Sequence, residues 1–289
     1  MGLHRIGDLE FAVVSDGRVW VDAGGPFGLV PRTLYESTLS PTSKNTIPMD
    51  LNCLLVRSAG KTILIDTGLG EKLDRDARAR WGLERPGGGL LARLEEHGVA
   101  PGDVDLVLNT HLHADHCGGN TNLADDRVVP TFPHAEYWVQ RVEWSEASHP
   151  DARTRGTYFK SNFEPLCERG QLKLLHGDTQ VTEHIRCVVT PGHTRAHQSI
   201  LLQSGAWQGL YVADMASFAI NMERTAWLTA YDVLPLENVA TKMRWQRWSI
   251  ENGAWLFFEH DPEITIARLN EAEGRLRISP VDVNSELTG

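Results

Sequence analysis

The chain reads as an α/β (α+β) protein built in four layers, αββα. Three observations predict this. Short apolar β-branched runs fall in two groups, before and after the middle of the chain, with helical stretches between them. No shift in composition and no internal repeat divides the 289 residues, so residues 1–289 are expected to form one domain. Sheets with one apolar face each, and helices to cover the other, layer most simply as two facing sheets with helices outside.

Composition narrows the classes. Hydrophobic residues make up 41% and charged residues 23%, as in a soluble globular protein. The net charge of −10 disfavours nucleic acid or an anionic membrane surface as main partner. No run approaches the roughly 18 apolar residues of a membrane span. Cys53, Cys117, Cys167 and Cys187 lack CxxC spacing and read as free thiols. MGLHRIGDLEF has no basic region followed by an apolar run. The expected location is the cytoplasm.

Along the chain, Leu9–Ser15 and Arg18–Val21 flank Asp16-Gly17 and predict a hairpin. Residues 22–48 are broken by seven glycines and prolines and predict a long functional loop. Leu51–Arg57 and Thr62–Ile65 around Ala59-Gly60 predict a second hairpin, ending in Asp66-Thr67-Gly68. Glu71–Trp81 and Leu90–His97 predict helices, and Val104–Leu108 a buried strand that delivers THLHADHCGG at 110–119.

That stretch is rich in chemistry. His111 and His113 are two residues apart and share one side of an extended segment. Asp115 and His116 follow at the turn. Gly118 and Gly119 allow close backbone approach and a helix start. Imidazole and carboxylate in this mixture suit zinc and its neighbours.

Beyond it, Tyr137–Ala147 predicts a helix or a strand then a helix, and Asn162–Arg169 a helix. Leu172–Leu175, Ile185–Val189, Ser199–Leu202 and Leu210–Ala213 predict strands. Leu236–Glu251 predicts the longest helix, with Leu236, Val239, Ala240, Met243 and Arg247 along one side. Ala254–Phe258 predicts a strand, and Ser279–Gly289 a frayed end. Three apolar strands thus end in His193, Asp214 and His260, and a site at strand ends is rigid.

These residues resemble the metallo-β-lactamase-fold hydrolases. The resemblance rests on ILIDTG at 63–68, THLHADHCGG at 110–119, TPGHTRAHQS at 190–199, VAD at 212–214 and FEHD at 258–261. GPFGLVP and the stretch 227–242 are similar to the quorum-quenching N-acyl homoserine lactonase and methyl parathion hydrolase branch. The resemblance implies two divalent metal ions per chain, zinc first, with cobalt, iron or manganese as other fits. His111, His113 and His193 would hold one, Asp115, His116 and His260 the other, and Asp214 both. Asp66 would orient a ligand histidine. Asp115 and Asp214 would serve catalysis, and Phe27, Ser217, Phe218 and Trp227 would meet substrate.

The implied reaction is opening of an N-acyl homoserine lactone or related lactone by a metal-bridging hydroxide. An aryl-ester or phosphotriester hydrolase is the alternative, then a glyoxalase II-like thioesterase, for whose glutathione carboxylate no basic cluster is evident. The branch also implies a homodimer. Its lactonases carry a tyrosine three residues after the bridging aspartate. Ser217 stands there, followed by Phe218, which leaves Tyr231 and Tyr35 as phenols to reach the site. A flavodiiron reading is disfavoured by His113, where that class has glutamate. A one-iron dioxygenase or a non-catalytic module is disfavoured by the complete set of seven ligands. The other histidines read as surface residues, with His134 near a site rim as a lesser option and His197 as support for its strand.

Overall fold

The computed structural model describes residues 2–288. Its first seven-stranded sheet begins with β1 (His4–Ile6), β2 (Leu9–Asp22), β3 (Thr46–Ser58), β4 (Lys61–Ile65) and β5 (Leu106–Leu108). A separate hairpin, β6 (Thr121–Ala124) with β7 (Arg127–Pro130), intervenes. Then β8 (Glu136–Gln140) and β9 (Leu172–Leu175) complete the sheet in parallel. The second sheet runs in chain order through β10 (Thr179–Gln180), β11 (Ile185–Val189), β12 (Gln198–Ser204), β13 (Trp207–Tyr211), β14 (Trp255–Phe257), β15 (Ile266–Ala272) and β16 (Arg275–Pro280).

Both inner faces meet in one core. Leu54, Ile63 and Leu108 of the first sheet pack with Ile185, Ile200 and Phe257 of the second. The alternation of side chains along each strand sends their neighbours outward. Leu55, Leu64 and Val107 meet Leu90, Leu94 and Leu166 of helices on one side, and Leu210 and Leu256 meet Met222 and Trp245 on the other. This is the αββα layering expected from the sequence.

Several local expectations are corrected. Leu9–Val21 is not a hairpin but part of one long strand, β2, with a bulge between Ser15 and Arg18. Both halves pair with β3. Asp16 is buried and receives Arg85 Nη2 at 2.7 Å and the amides of Gly70 and Leu90 at 3.0 Å, so Asp-Gly is consumed as a bulge. The segment 22–48 contains two single-turn helices, Gly24–Phe27 and Arg32–Tyr35. The helix expected from Glu71 starts at Arg75, where Asp74 caps it by accepting from the Ala77 amide. A helical turn at Ala114–Cys117 precedes the glycines, and a 3₁₀ turn, Gly118–Asn120, starts at Gly118 as expected.

The helix Pro235–Asn252 buries the opposite face from the one its apolar residues suggest. Leu236 and Met243 are 84% and 55% exposed, while Asn238, Lys242 and Gln246 are buried. The cause lies in its partner. Lys242 Nζ donates to the carbonyls of Asn221 and Trp227, and Gln246 Nε2 to that of Met222. The loop beneath offers unpaired backbone acceptors, and polar side chains satisfy them. The expected frayed end is also ordered. β16 reaches Pro280 and a helix follows at Val283–Thr288, with Val281, Val283 and Leu287 against the central core; Gly289 lies outside the described residues.

Glycines in the histidine stretch serve close approach. A β-carbon on Gly118 would lie 2.3 Å from Leu69 O, and one on Gly119 would lie 2.3 Å from Thr67 O. The two loops are zipped by Thr67 N to His116 O at 2.7 Å and Gly119 N to Gly68 O at 3.1 Å. Gly119→Ala should therefore force the backbones apart and lower unfolding stability by about 1–3 kcal/mol. Gly156, with nothing within 4 Å of an added β-carbon, should tolerate alanine within about 0.5 kcal/mol. Urea unfolding midpoints of the two variants would check this, and equal stabilities would contradict it.

Candidate metal centre

Each candidate ligand sits where a strand gives way to a loop. β5 delivers Thr110 to His116, β11 leads to His193, β13 to Asp214 and β14 to His260. Asp66, just past the end of β4, and Ala213, just past β13, adopt φ of 55° and 45°. Left-handed backbone at non-glycine positions is costly and persists where the surroundings dictate it. Here zipping between the loops provides that constraint: Asp66 N donates to Leu108 O at 3.1 Å, and Asp50 N to His260 O at 3.1 Å.

The structure brings all seven residues together as two groups. One contains His111, His113, His193 and Asp214; the other contains Asp115, His116 and His260. Within each, the candidate ligand atoms lie within 4.8 Å of one another. His111, His116, His193 and His260 are at most 1% exposed. Asp214 faces both groups. Its Oδ2 is 3.0 Å from His193 Nε2 and 3.4 Å from His116 Nε2, and its Oδ1 is 3.3 Å from His260 Nε2.

Tautomers follow from the partners. His260 Nδ1 donates to Asp50 O at 2.8 Å, since a carbonyl only accepts. His193 Nδ1 donates to Asp232 Oδ1 at 2.9 Å. Thr110 Oγ1 gives its proton to Asp66 Oδ2 and so accepts from His111 Nδ1. His116 Nδ1 faces Asp66 Oδ2 at 3.1 Å and Glu259 Oε2 at 2.9 Å. Each of these four rings therefore turns an Nε2 lone pair inward, while His113 offers Nδ1, 3.0 Å from His193 Nε2. His116 and His260 point their Nε2 atoms at each other at 3.1 Å. With those four Nδ1 atoms committed outward, each facing pair competes for one proton or one cation, and His111 Nε2 has no hydrogen-bond partner. Cations between them satisfy such a donor set.

Electrostatics agree. Burial holds His111 and His113 well below the usual histidine range, hence neutral. Burial also pulls down His193 and His260, but Asp214 outweighs it and raises them to about 10 and about 9. A field that attracts a proton to these nitrogens attracts a divalent cation equally well. His197 is not a member of either group. Its Nε2 accepts from the Asp214 amide at 3.2 Å and burial pushes it down to about 3, so it is a neutral prop for the aspartate.

Three positions were not visible in the sequence as parts of this centre. Asp232 orients His193 and is itself held by Thr229 Oγ1 and Asn238 Nδ2. Glu259 lies beneath His116 and also contacts the Tyr211 hydroxyl at 2.7 Å; burial raises its carboxyl to about 7. Glu143 accepts from the amide of Leu112 and the hydroxyls of Tyr158 and Thr194, bracing the loop between His111 and His113. Glu259 lies within the quoted FEHD motif, but only tertiary pairing with His116 reveals its role.

The expected substrate residues are placed elsewhere in part. Phe27 and Phe218 are fully buried, stacked with Tyr35 and edged by Trp227 in an aromatic core. Ser217 Oγ donates to Asp214 Oδ1 at 2.8 Å. Trp227 lines a cavity of about 560 Å³ that does not touch the candidate ligands. The cleft that does reach them, about 110 Å³, is walled by Val21, Met49, Trp81, Thr157 and Tyr231. His134 bonds Gly102 O and is exposed.

Two facing sheets with histidines and carboxylates gathered at their strand ends define a metal-dependent hydrolase. The chain belongs to the metallo-beta-lactamase superfamily, whose family model matches residues 47–245. Among named relatives, an N-acyl homoserine lactonase AttM from Azorhizobium caulinodans is 26% identical over 226 residues, covering 73% of this chain and 81% of that one. A solved probable metal-dependent hydrolase from Staphylococcus aureus superposes with TM-score 0.87 at 25% identity, covering 96% of this chain and 99% of that one. AidC, a dizinc quorum-quenching lactonase solved with the product N-hexanoyl-L-homoserine, has the same fold at TM-score 0.78 and 22% identity, covering 96% of each chain.

Removing an outer carboxylate should affect one group at a time. Asp232→Ala is expected to weaken zinc binding by the His193 group about 10–100-fold, and Glu259→Gln to weaken the His116 group instead. Competition with a chromophoric chelator resolves the two affinities. Equal loss in both groups from either variant would contradict the pairing.

Proposed function

We propose that this protein is a dinuclear lactonase that opens N-acyl homoserine lactone or related lactone rings. The observation that carries the reading is Asp214, whose two oxygens face the two ligand groups at 3.0 and 3.3 Å. His111, His113 and His193 would hold one ion, and Asp115, His116 and His260 the other, with Asp214 shared. The names of the relatives point to the lactone. When bound, two divalent ions, zinc first and cobalt, iron or manganese as other fits, supply Lewis acidity and a water acidic enough to attack near neutral pH.

The residues do the rest. Asp214, fixed by Ser217 and His197, orients the attacking water and takes its proton. That proton then passes to the departing ring alkoxide, beside which stands Asp115, the candidate ligand whose side chain is most open at 15%. The surrounding apolar wall of Val21, Met49 and Trp81 excludes bulk water and accommodates an acyl chain. That same wall favours an aryl ester or phosphotriester as the second reading. A thioesterase acting on an anionic carrier has less support, because no Lys or Arg lines this cleft.

Four unpaired cysteines, three of them buried, fit a reducing cytoplasm, and among the described residues no helix is long and apolar enough to cross a membrane. Leu29 is fully exposed and Leu34 half exposed on the rim of the larger cavity, which supports a homodimer. Light scattering should give twice the mass of the 32.2 kDa chain, and Leu29→Asp should shift it towards monomer.

A substrate panel on protein of measured metal content tests the activity. Lactones should be turned over with higher kcat/KM than paraoxon or p-nitrophenyl esters. Chelation should abolish turnover, and zinc should restore it. Full lactone hydrolysis by verified metal-free protein, or a clear preference for paraoxon, would refute the reading.

A further inference from the structure

We propose that Glu143 is a positioning residue whose buried negative charge is the counter-charge to an ion held by His111, His113 and His193. This role rests on the dinuclear reading above, and it is independent of which substrate is cleaved.

Glu143 lies on the helix Arg141–Ser148 and is fully buried. Its two oxygens collect three donors. Oε1 accepts from the Leu112 amide and the Tyr158 hydroxyl, each at 3.0 Å, and Oε2 from the Thr194 hydroxyl at 2.6 Å. Leu112 stands between His111 and His113, and Thr194 follows His193. The Tyr158 ring packs on that of His113, with centroids 5.0 Å apart. One carboxylate thus ties both histidine-bearing segments of the first group to the ring beside His113. None of its three partners adjoins His116 or His260 in the chain.

All three donors are neutral. Asp16 has Arg85, Asp232 has His193, and Asp66 and Glu259 share His116. Among the described residues Glu143 has no such partner, and Arg195, beside Thr194, pairs with Glu146 at 2.8 Å instead. A fully buried carboxylate without a counter-charge is costly, and burial raises its carboxyl in spite of the three hydrogen bonds. A divalent cation on the histidines next to Leu112 and Thr194 offsets that cost. The coupling is reciprocal: by whatever factor the ion favours the buried charge, the charge tightens the ion.

Glu143→Gln isolates the charge. The amide keeps the shape, its oxygen still accepts from Leu112 and Tyr158, and its NH2 donates to Thr194, whose hydroxyl accepts equally well. Zinc affinities are read by competition with a chromophoric chelator. The affinity that Asp232→Ala weakens should fall about 10–100-fold in Glu143→Gln, while the one that Glu259→Gln weakens stays within about threefold. Thermal unfolding separates charge from packing. Metal-free Glu143→Gln should melt at or above the midpoint of metal-free wild type, because a costly buried charge is gone. The rise in midpoint on adding zinc should be smaller than for wild type. Glu143→Asp, which retains the charge, should recover part of the lost affinity. Zinc affinities in Glu143→Gln equal to those of wild type would overturn the role. So would a metal-free Glu143→Gln destabilised as much as the zinc-loaded one, the signature of packing alone. A wild type that binds a single zinc would overturn the dinuclear reading, and the change in that one affinity would still decide Glu143. A wild type that binds two but cleaves no lactone would overturn the lactone reading and leave the comparison of affinities intact.

Discussion

The structure depends on one electrostatic constraint. Seven side chains with nitrogen and oxygen donor atoms, the candidate ligands, are packed together at the strand ends. Nδ1 protons of four imidazoles are drawn outward, to Asp50 O, Asp232, Thr110 and the Asp66–Glu259 pair. That leaves nitrogen to face nitrogen at 3.0 and 3.1 Å. Such an interior is tolerable only around cations, and everything that holds the ligands in place works against their mutual repulsion. Stored strain appears at the same points, as left-handed Asp66 and Ala213. The two sheets contribute rigidity because each ligand leaves a strand that is buried on both faces.

The outer carboxylates show how the constraint propagates. Asp66, Asp232 and Glu259 are each at most 2% exposed. None is tolerable there as an isolated charge. Asp232 is matched by the His193 N–H, Asp66 and Glu259 share that of His116, and further polar partners are Thr110 for Asp66, Thr229 and Asn238 for Asp232, and Tyr211 for Glu259. Asn238 belongs to the Pro235–Asn252 helix, so a helix on the outside of the second sheet is tied through Asp232 to His193. This explains why that helix presents polar residues inward. Its buried side serves the loop that orients a ligand, and the apolar Leu236 and Met243 are left outside.

The clustering of the seven candidate residues was legible because their identity and position carry the information: histidine and aspartate just beyond apolar strands. The layering was legible for a related reason, since strand periodicity reports burial directly. Partner-dependent features were hidden. Asp16-Gly17 has the composition of a turn, and only Arg85, dozens of residues away, makes it a bulge. The helix from Pro235 follows apolar periodicity, but its neighbour offers carbonyls, so the periodic stripe points outward. Glu259 and Asp232 look like ordinary surface acids until the fold brings His116 and His193 against them. Phe27, Phe218 and Trp227 illustrate the converse. Their motif is noticeable, yet they mainly pack against one another, and the cleft belongs to residues with no motif.

This division has a physical basis. The candidate ligands follow rigid strands, whereas the cleft wall combines the end of β2, the start of β3 and the end of the helix Arg75–Trp81 with the loops at 157 and 231. Strand-end geometry decides whether a shared carboxylate reaches both groups, so the candidate site is tied to the fold. Loop walls meet only the substrate, and they can change without disturbing the ligands. Tyr231 stands where the two regimes meet. Its side chain belongs to the cleft wall, but its backbone is locked to Asp232 and through it to His193. A substitution in that loop therefore acts on substrate contact and on ligand orientation together. The strand ends hold the candidate ligands, and this one loop joins them to the cleft wall.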